Sequence, residues 1–273
     1  MIGSLFSEQI IKCVWAESLR QVRDMLRYWT TQAPNAVRTT ANDTKTFSLH
    51  VLTAVEFGKS FPFQSSIESA ETGQVLSYRD SLSLILDHVI LIMIVGSKIL
   101  TTPFLPKRWA RVGQAAVDFQ QYMKEMLEQE KRLIVQGAPG SGNFLTALVR
   151  ASQAVAEPAT SSGGSKGACT TRNSQVGLTD AEIFGNIFVL NFAGHDTSAR
   201  SLAYCLTLLA AHPEVQVWIG QEIRYVCSES DSSTWNYEES FPRLKRCLAI
   251  LVSNSLLHSM ALYFSARANS IST

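Results

Sequence analysis

Residues Thr179 to Ala211 read TDAEIFGNIFVLNFAGHDTSARSLAYCLTLLAA, and this stretch decides the fold. Thr179 followed by Glu182 is a capping box, with Thr at the N-cap and Glu at N3. Pro213 marks the far end, because it cannot continue a helix and restricts His212 before it. One helix between these signals is about 48 Å long at 1.5 Å per residue. Its halves are apolar nearly all round: Ile183, Phe184, Ile187, Phe188, Val189, Leu190 and Phe192 before the centre, Leu202, Ala203, Leu206, Leu208 and Leu209 after it. Such a helix runs through the middle of a large protein. The centre breaks the pattern. Gly194 costs about 1 kcal/mol of helix propensity against Ala, and Asp196, Thr197, Ser198, Arg200 and Ser201 put polar groups where the flanks predict burial. Buried polar groups without partners are expensive. A local reading pairs Asp196 with Arg200 at i, i+4 in the favourable order and lets Thr197 bond back to the carbonyl of Ala193. A chemical reading makes Ala193-Gly194 a side-chain-free step where a flat ligand approaches the backbone. Asp196 and Thr197 are then a carboxylate and a hydroxyl placed to pass protons beside it.

The surroundings favour the chemical reading. Asn191 to Arg200, NFAGHDTSAR, resembles the central oxygen-activating helix of the cytochrome P450 family, whose pattern is Ala-Gly-x-Asp-Thr-Thr/Ser. Ala210 to Ile223, AAHPEVQVWIGQEI, is similar to that family's next helix. Tyr237-Glu238, Phe241-Pro242 and Leu244-Lys245-Arg246-Cys247 resemble its approach to the helix after that. The likeness is to fungal microsomal members and runs from about Phe6 to Leu251. It implies an all-α fold, a partial cytochrome P450 helical core built around one long central helix. It also implies haem as cofactor, with Ala193 and Gly194 flanking its face. Asp196 and Thr197 relay protons in this reading, and Phe184, Phe188 and Phe192 face the substrate, although each ring taken alone serves equally well as core packing. The reaction implied is insertion of one oxygen atom from O2 into an apolar small molecule, with electrons from NADPH through NADPH-cytochrome P450 reductase. The location implied is the cytosolic face of the endoplasmic reticulum membrane.

Bulk properties are compatible with this reading. A chain of 273 residues, 46% hydrophobic and 17% charged, buries a sizeable core. A net charge of +1 supplies no field to attract nucleic acid or an anionic membrane. Lys107, Arg108 and Arg111 form the one local basic cluster, an ordinary solvated face. Five dispersed cysteines without a Cys-x-x-Cys pair suggest reduced thiols, and no metal site is read from them. Met1 to Ile11 lacks the features of a signal peptide. The most apolar run, Leu82 to Leu100, is interrupted by Asp87, His88 and Lys98 and is read as a core helix, since about 20 apolar residues are needed to span a bilayer. With no anchor in it, the chain expressed as it stands is expected in the cytoplasm.

Taken in order, Ile10 to Trp29 carries apolar residues at helical spacing. Ala33 to Asp43 reads as a loop, Thr46 to Phe57 as a buried helix capped by Gly58, and Phe61-Pro62-Phe63 as a turn that packs two rings. Tyr78 to Ile99 reads as one long helix. Pro103-Phe104-Leu105-Pro106 is similar in place to the family loop that touches the membrane surface. Trp109 to Val135 is a long amphipathic helix. Gly137 to Gly142 has the spacing of a phosphate loop, but Asn143-Phe144 stands where Lys and Ser or Thr are needed, so nucleotide binding is rejected. Asn143 instead caps a short helix from Phe144 to Ser152. Glu157 to Gly177, rich in Ser, Gly and Thr, reads as a surface loop, and Ser228 to Ser233 as a polar linker. No segment alternates as a strand does.

Three family features do not appear in the sequence. The Trp and basic residue that hold the haem propionates belong ahead of the point where the likeness begins. Aligned by Leu244 to Leu251, the Glu-x-x-Arg positions fall on Ser253 and Leu256. No cysteine sits in Phe-x-x-Gly-x-x-x-Cys-x-Gly. Cys169, with Gly163, Gly164 and Gly167 before it, comes nearest, but it lacks the Phe and precedes the central helix. The expectation is a fragment, truncated at both ends and inactive alone. Residues 1–251 form the partial cytochrome P450 domain. Residues 252–273 form a non-family tail, because Val252-Ser253 can be encoded by GTA-AGY, which contains an intron donor. Two other classes stay open: a non-catalytic helical protein binding an apolar ligand or a cytochrome P450 partner, and a product without function from an incomplete gene.

Overall fold

A computed structural model describes residues 7–32, 37–63, 78–100, 102, 106–137, 142–156, 177–227 and 235–253. The readings for Pro103-Phe104-Leu105, Glu157 to Val176, Ser228 to Ser233 and residues 254–273 lie outside them. Among the described residues every regular element is helical and none is a strand. The helices are α1 (Glu8–Gln32), α2 (Thr40–Phe57), α3 (Tyr78–Asp87), α4 (Val89–Val95), α5 (Ser97–Leu100), α6 (Lys107–Val135), α7 (Phe144–Ala156), α8 (Asp180–Ala211), α9 (Pro213–Cys227) and α10 (Tyr237–Ser240). A 3-10 turn, Phe241–Arg243, follows, and then helix α11 over 245–253. The chain divides into two compact units. The first holds Met1–Ile11, Thr53–Lys59 and Gln74–Phe192, and the second Lys12–Leu52, Ser60–Gly73 and Ala193–Thr273. Helices α1, α2 and α8 contribute to both.

In the first unit α6 is the packing centre, meeting α3, α5 and α7. Val112, Ala115, Ala116, Phe119, Met123 and Leu127 form its buried stripe, close to the spacing expected of an amphipathic helix. Gly113 lets α6 approach α5: a Cβ there would stand 2.6 Å from the Leu100 carbonyl carbon. Asn143 caps α7 as expected, its Oδ1 accepting from the Thr146 N–H at 2.8 Å. Phe144, Leu145, Leu148 and Val149 of α7 are buried.

In the second unit polar groups tie α1 to its neighbours. Arg20 and Gln21 donate to the Phe61 carbonyl at 2.7 and 2.8 Å, and Trp29 Nε1 donates to Asp43 at 2.8 Å. Trp15 meets the Tyr237 and Phe241 rings edge-on at 6.0 and 6.1 Å. Glu222 of α9 accepts the backbone N–H of Arg246 at 2.9 Å and of Cys247 at 3.1 Å. It therefore caps α11 from another helix, satisfying first-turn donors that have no partner within that helix.

Three expectations need correction. Helix α2 starts at Thr40 and not Thr46. The polar residues read as loop are its first turn, held by Asp43, which accepts from Thr39 Oγ1 at 2.6 Å as well as from Trp29. The long helix from Tyr78 is broken twice. At His88 the ring Nδ1 pairs with the Leu84 carbonyl at 3.0 Å. At Gly96 φ is +83°, a conformation that ends a helix and suits glycine. Gly58, by contrast, caps α2 as expected, with φ of 66° and its N–H on the Ala54 carbonyl. The third correction concerns α8. The glycine and polar residues at its centre predict a local distortion near Gly194 to Thr197, but α8 is one unbroken helix, as its end signals require, and α-helical there too. It is not buried all round, however. Its deeply buried positions, Ile183, Ile187, Asn191, His195 and Ala199, recur every fourth residue along one line. Val189, Phe192 and Tyr204 are exposed, and Cys205 is the one other buried position of the helix.

Candidate functional site

The Thr179–Glu182 capping box opens α8. The Thr179 N–H and hydroxyl donate to Glu182 Oε2 at 2.7 and 2.8 Å, and the Glu182 N–H returns to Thr179 Oγ1 at 3.3 Å. From this start the helical period fixes which side each later residue takes. Asn191 and His195 fall on the buried line. Ala193, Thr197, Ser198 and Arg200 are exposed, and Asp196 is half-buried.

The polar centre is satisfied locally. Asp196 Oδ2 accepts from Arg200 Nε at 2.7 Å, and its Oδ1 lies 3.6 Å from Lys45 Nζ on α2. The carboxylate is thus clamped by two cations, one from its own helix and one from another. All three side chains are about one-third exposed or more, so the pairing orients Asp196 more than it stabilises the fold. The Thr197 hydroxyl donates to the Ala193 carbonyl. The local reading of the motif is therefore present in full, and it leaves the Thr197 oxygen with acceptor capacity on the open side.

Ala193 and Gly194 part company. Ala193 faces the open side. A Cβ on Gly194 would meet Leu52 Cδ2 at 3.4 Å, an ordinary packing distance. Open space for a flat ligand is therefore on the Ala193 side. The three phenylalanines are not alike: Phe184 and Phe188 are half-buried, Phe192 is 51% exposed, and the Phe188 and Phe192 rings stack with centroids 6.4 Å apart. The open line of α8 is thus apolar toward Val189 and Phe192, then carries Ala193, then the Asp196-Thr197 pair.

Two partnerships escaped the sequence reading. Lys45 on Asp196 has no signal in sequence, since a lysine in the first turns of α2 is commonplace. The second is Glu56, which is fully buried and receives Asn191 Nδ2 at 2.8 and 2.6 Å on its two oxygens. Burial pushes its carboxyl well above the usual carboxylate range, against the Asn191 hydrogen bond, which lowers it. A glutamate one residue before the end of an apolar helix was the available clue.

The helical architecture and the α8 motif have counterparts among known proteins. The cytochrome P450 family model matches residues 10–249. A cytochrome P450 monooxygenase of Arthrobotrys oligospora is 30% identical over 267 residues, covering 94% of this chain and 44% of that protein. A cytochrome P450 monooxygenase of the phomenoic acid biosynthesis cluster of Leptosphaeria maculans is 25% identical over 96% of this chain and 44% of its own length. Among solved structures, the haem domain of cytochrome P450DA aligns with a TM-score of 0.61 at 18% identity, over 90% of this chain and 46% of that one. The chain belongs to the cytochrome P450 family. It spans less than half the length of these curated relatives.

Haem is the cofactor of this family, and the described residues fit it on one side only. The open line at Ala193 and Thr197 suits the face of a flat ring. Burial raises the thiols of Cys13, Cys205, Cys227 and Cys247, the last to about 11 with help from Glu222. Among the described residues no cluster of three or more His, Cys, Asp or Glu could hold a metal ion. No described helix is long and apolar enough to cross a membrane.

Proposed function

We propose that this chain carries the oxygen- and substrate-facing part of a monooxygenase that inserts one atom of O2 into an apolar small molecule. The observation that carries this reading is the open line of α8. Ala193 offers a small, accessible step, and Asp196 and Thr197 stand on the same side one turn further on. Haem, when bound, supplies oxygen activation. In this reading Thr197 Oγ1, anchored through its hydrogen to the Ala193 carbonyl, accepts a hydrogen bond from the open side. Asp196, turned by Lys45 and Arg200, exchanges protons with solvent. Phe188 and Phe192, stacked on the adjoining turn, and Phe184 border the substrate and exclude water. NADPH-cytochrome P450 reductase would supply electrons, and the Pro103–Pro106 segment would touch the endoplasmic reticulum membrane from the cytosol.

In the same reading, residues 1–251 are family sequence and 252–273 are not. The family match ends at residue 249, while the alignments with the Arthrobotrys oligospora and Leptosphaeria maculans relatives, covering 94% and 96% of the chain, run past 251. Gene sequence beginning with a donor-like GT after the Leu251 codon, followed by a Glu-x-x-Arg coding segment, is the expected finding, and continuous coding without it would refute the division.

The chain expressed alone is expected to hold no haem in thiolate ligation and to oxidise nothing, because groups that surround a metal ligand do not replace the ligand itself. Purified protein reconstituted with haem, reduced and treated with CO, tests this. A Soret band at the position of thiolate-ligated ferrous-CO haem would overturn it.

A further inference from the structure

Glu56 and Asn191 present a hydrogen-bond accounting problem. Both are 0% exposed, within the first unit. One Asn191 Nδ2 hydrogen serves Glu56, with Oε1 and Oε2 both in range, and the other serves the Ile187 carbonyl at 3.0 Å. Asn191 Oδ1 is buried with no donor. Buried acceptors are rarely left so, and a carboxylate, which only accepts, cannot supply the missing proton. A carboxylic acid can. Rotation of the Glu56 carboxyl about its terminal bond lets one oxygen accept from Nδ2 while the other donates its proton to Oδ1. All three polar groups are then satisfied in one ring, and the Ile187 bond is kept.

No ion pair competes for that proton. Among the described residues no cation lies within salt-bridge distance of Glu56, and burial and Asn191 are the influences acting on it. Along α8 the buried line is Ile183 and Ile187 before Asn191, and His195 is the next titratable residue after it. On α2 the turn around Glu56 carries Thr53, Ala54, Val55 and Phe57, with Lys59 exposed beyond its end. An ionised Glu56 would be a bare buried charge, which folded proteins avoid by keeping the proton.

We propose that Glu56 is a neutral carboxylic acid in the folded protein, joined to the Asn191 amide by two hydrogen bonds, and that this pair is a proton-dependent latch between α2 and the first half of α8. Loss of the proton removes one of the two bonds and leaves a charge in an apolar setting, so the latch weakens as pH rises. Glu56 ionises normally in the unfolded chain, so the unfolding equilibrium constant rises up to about tenfold per pH unit between the unfolded and folded pKa values of this group.

The test uses the full chain and Glu56→Gln, which keeps size and both kinds of hydrogen-bonding group. Infrared spectra at pH 7 are expected to show a protonated-carboxyl stretch that Glu56→Gln lacks and that shifts toward the free-acid position in Asn191→Leu. Urea unfolding at pH 6 to 9 is expected to give a midpoint that falls more steeply with pH in the natural chain than in Glu56→Gln. A protonated-carboxyl band unchanged by Glu56→Gln, or identical pH slopes in the two proteins, would overturn the proposal. Should Asn191→Leu fail to fold, the Glu56→Gln comparison decides the question by itself.

Discussion

Cys247 should be an unusually slow nucleophile, and the structure says by how much. It lies in the first turn of α11, half-buried, with its N–H on Glu222. Burial is the largest influence on its thiol and the Glu222 carboxylate the next, and together they push it up to about 11. At pH 8 a thiol of that pKa is about one part in a thousand thiolate. A free cysteine near 8.5 is about one part in four, so the reactive fraction falls about two-hundredfold. Alkylation with iodoacetamide, followed at Cys247 by mass spectrometry, measures this. Accessibility alone also slows a half-buried thiol, so the pH profile is the informative quantity. In the folded protein the rate should rise tenfold per pH unit through pH 10, whereas in urea it should level off near pH 9. Glu222→Gln removes the charge but leaves the burial, so its profile should shift to lower pH and still lie above that of the unfolded chain. A folded-state profile that levels off near pH 9 would refute the reasoning. A profile unmoved by Glu222→Gln would refute the part assigned to Glu222.

Other substitutions follow from the same geometry. Gly113→Ala puts a Cβ against the Leu100 backbone at 2.6 Å, an overlap with main chain that should cost about 1–3 kcal/mol in urea unfolding. Glu222→Ala strips the cap from α11 and should cost about 1 kcal/mol. Although burial opposes it, the Arg246 and Cys247 backbone N–H groups hold the Glu222 carboxyl below its usual range. The contribution is therefore present above the unfolded pKa of about 4.3 and is lost as pH falls through the folded value, so the stabilities of the natural chain and of Glu222→Ala should converge in acid. Gly194→Ala meets Leu52 only at packing distance and relieves a helix-interior glycine, so it should stabilise by up to about 1 kcal/mol; a loss of stability there would show that the backbone needs glycine.

The end signals of α8, α7 and α9 were legible because each is a local code: a capping box, an Asn N-cap, a proline. The motif Ala193 to Thr197 stood out because its residue types clash with the apolar flanks. Three things were hidden by their dependence on distant parts of the chain. The start of α2 depended on Trp29 of α1 reaching Asp43. The breaks at His88 and Gly96 lie inside a run whose apolar content alone reads as continuous helix. The one-sided burial of α8 was hidden most deeply. Apolar residues on every side report only what the helix is built to meet, and nothing in Val189 or Phe192 states which neighbours the described residues supply.

The polar residues of α8 divide by line, and under the proposed function the division separates folding from chemistry. Asn191 and His195 lie on the buried line, where an unsatisfied group costs free energy and where Asn191 is spoken for by Glu56 and Ile187. Asp196, Thr197 and Arg200 lie on or toward the open line, where water can satisfy them. Removing one of these three should therefore change stability little, since exposed pairs contribute about 0–1 kcal/mol. Folding gives no reason for a carboxylate and a hydroxyl at adjacent positions beside a glycine that packing does not require. Residues whose cost or indifference to the fold is clear, clustered on one accessible turn, are the pattern expected where function and not stability selected the sequence.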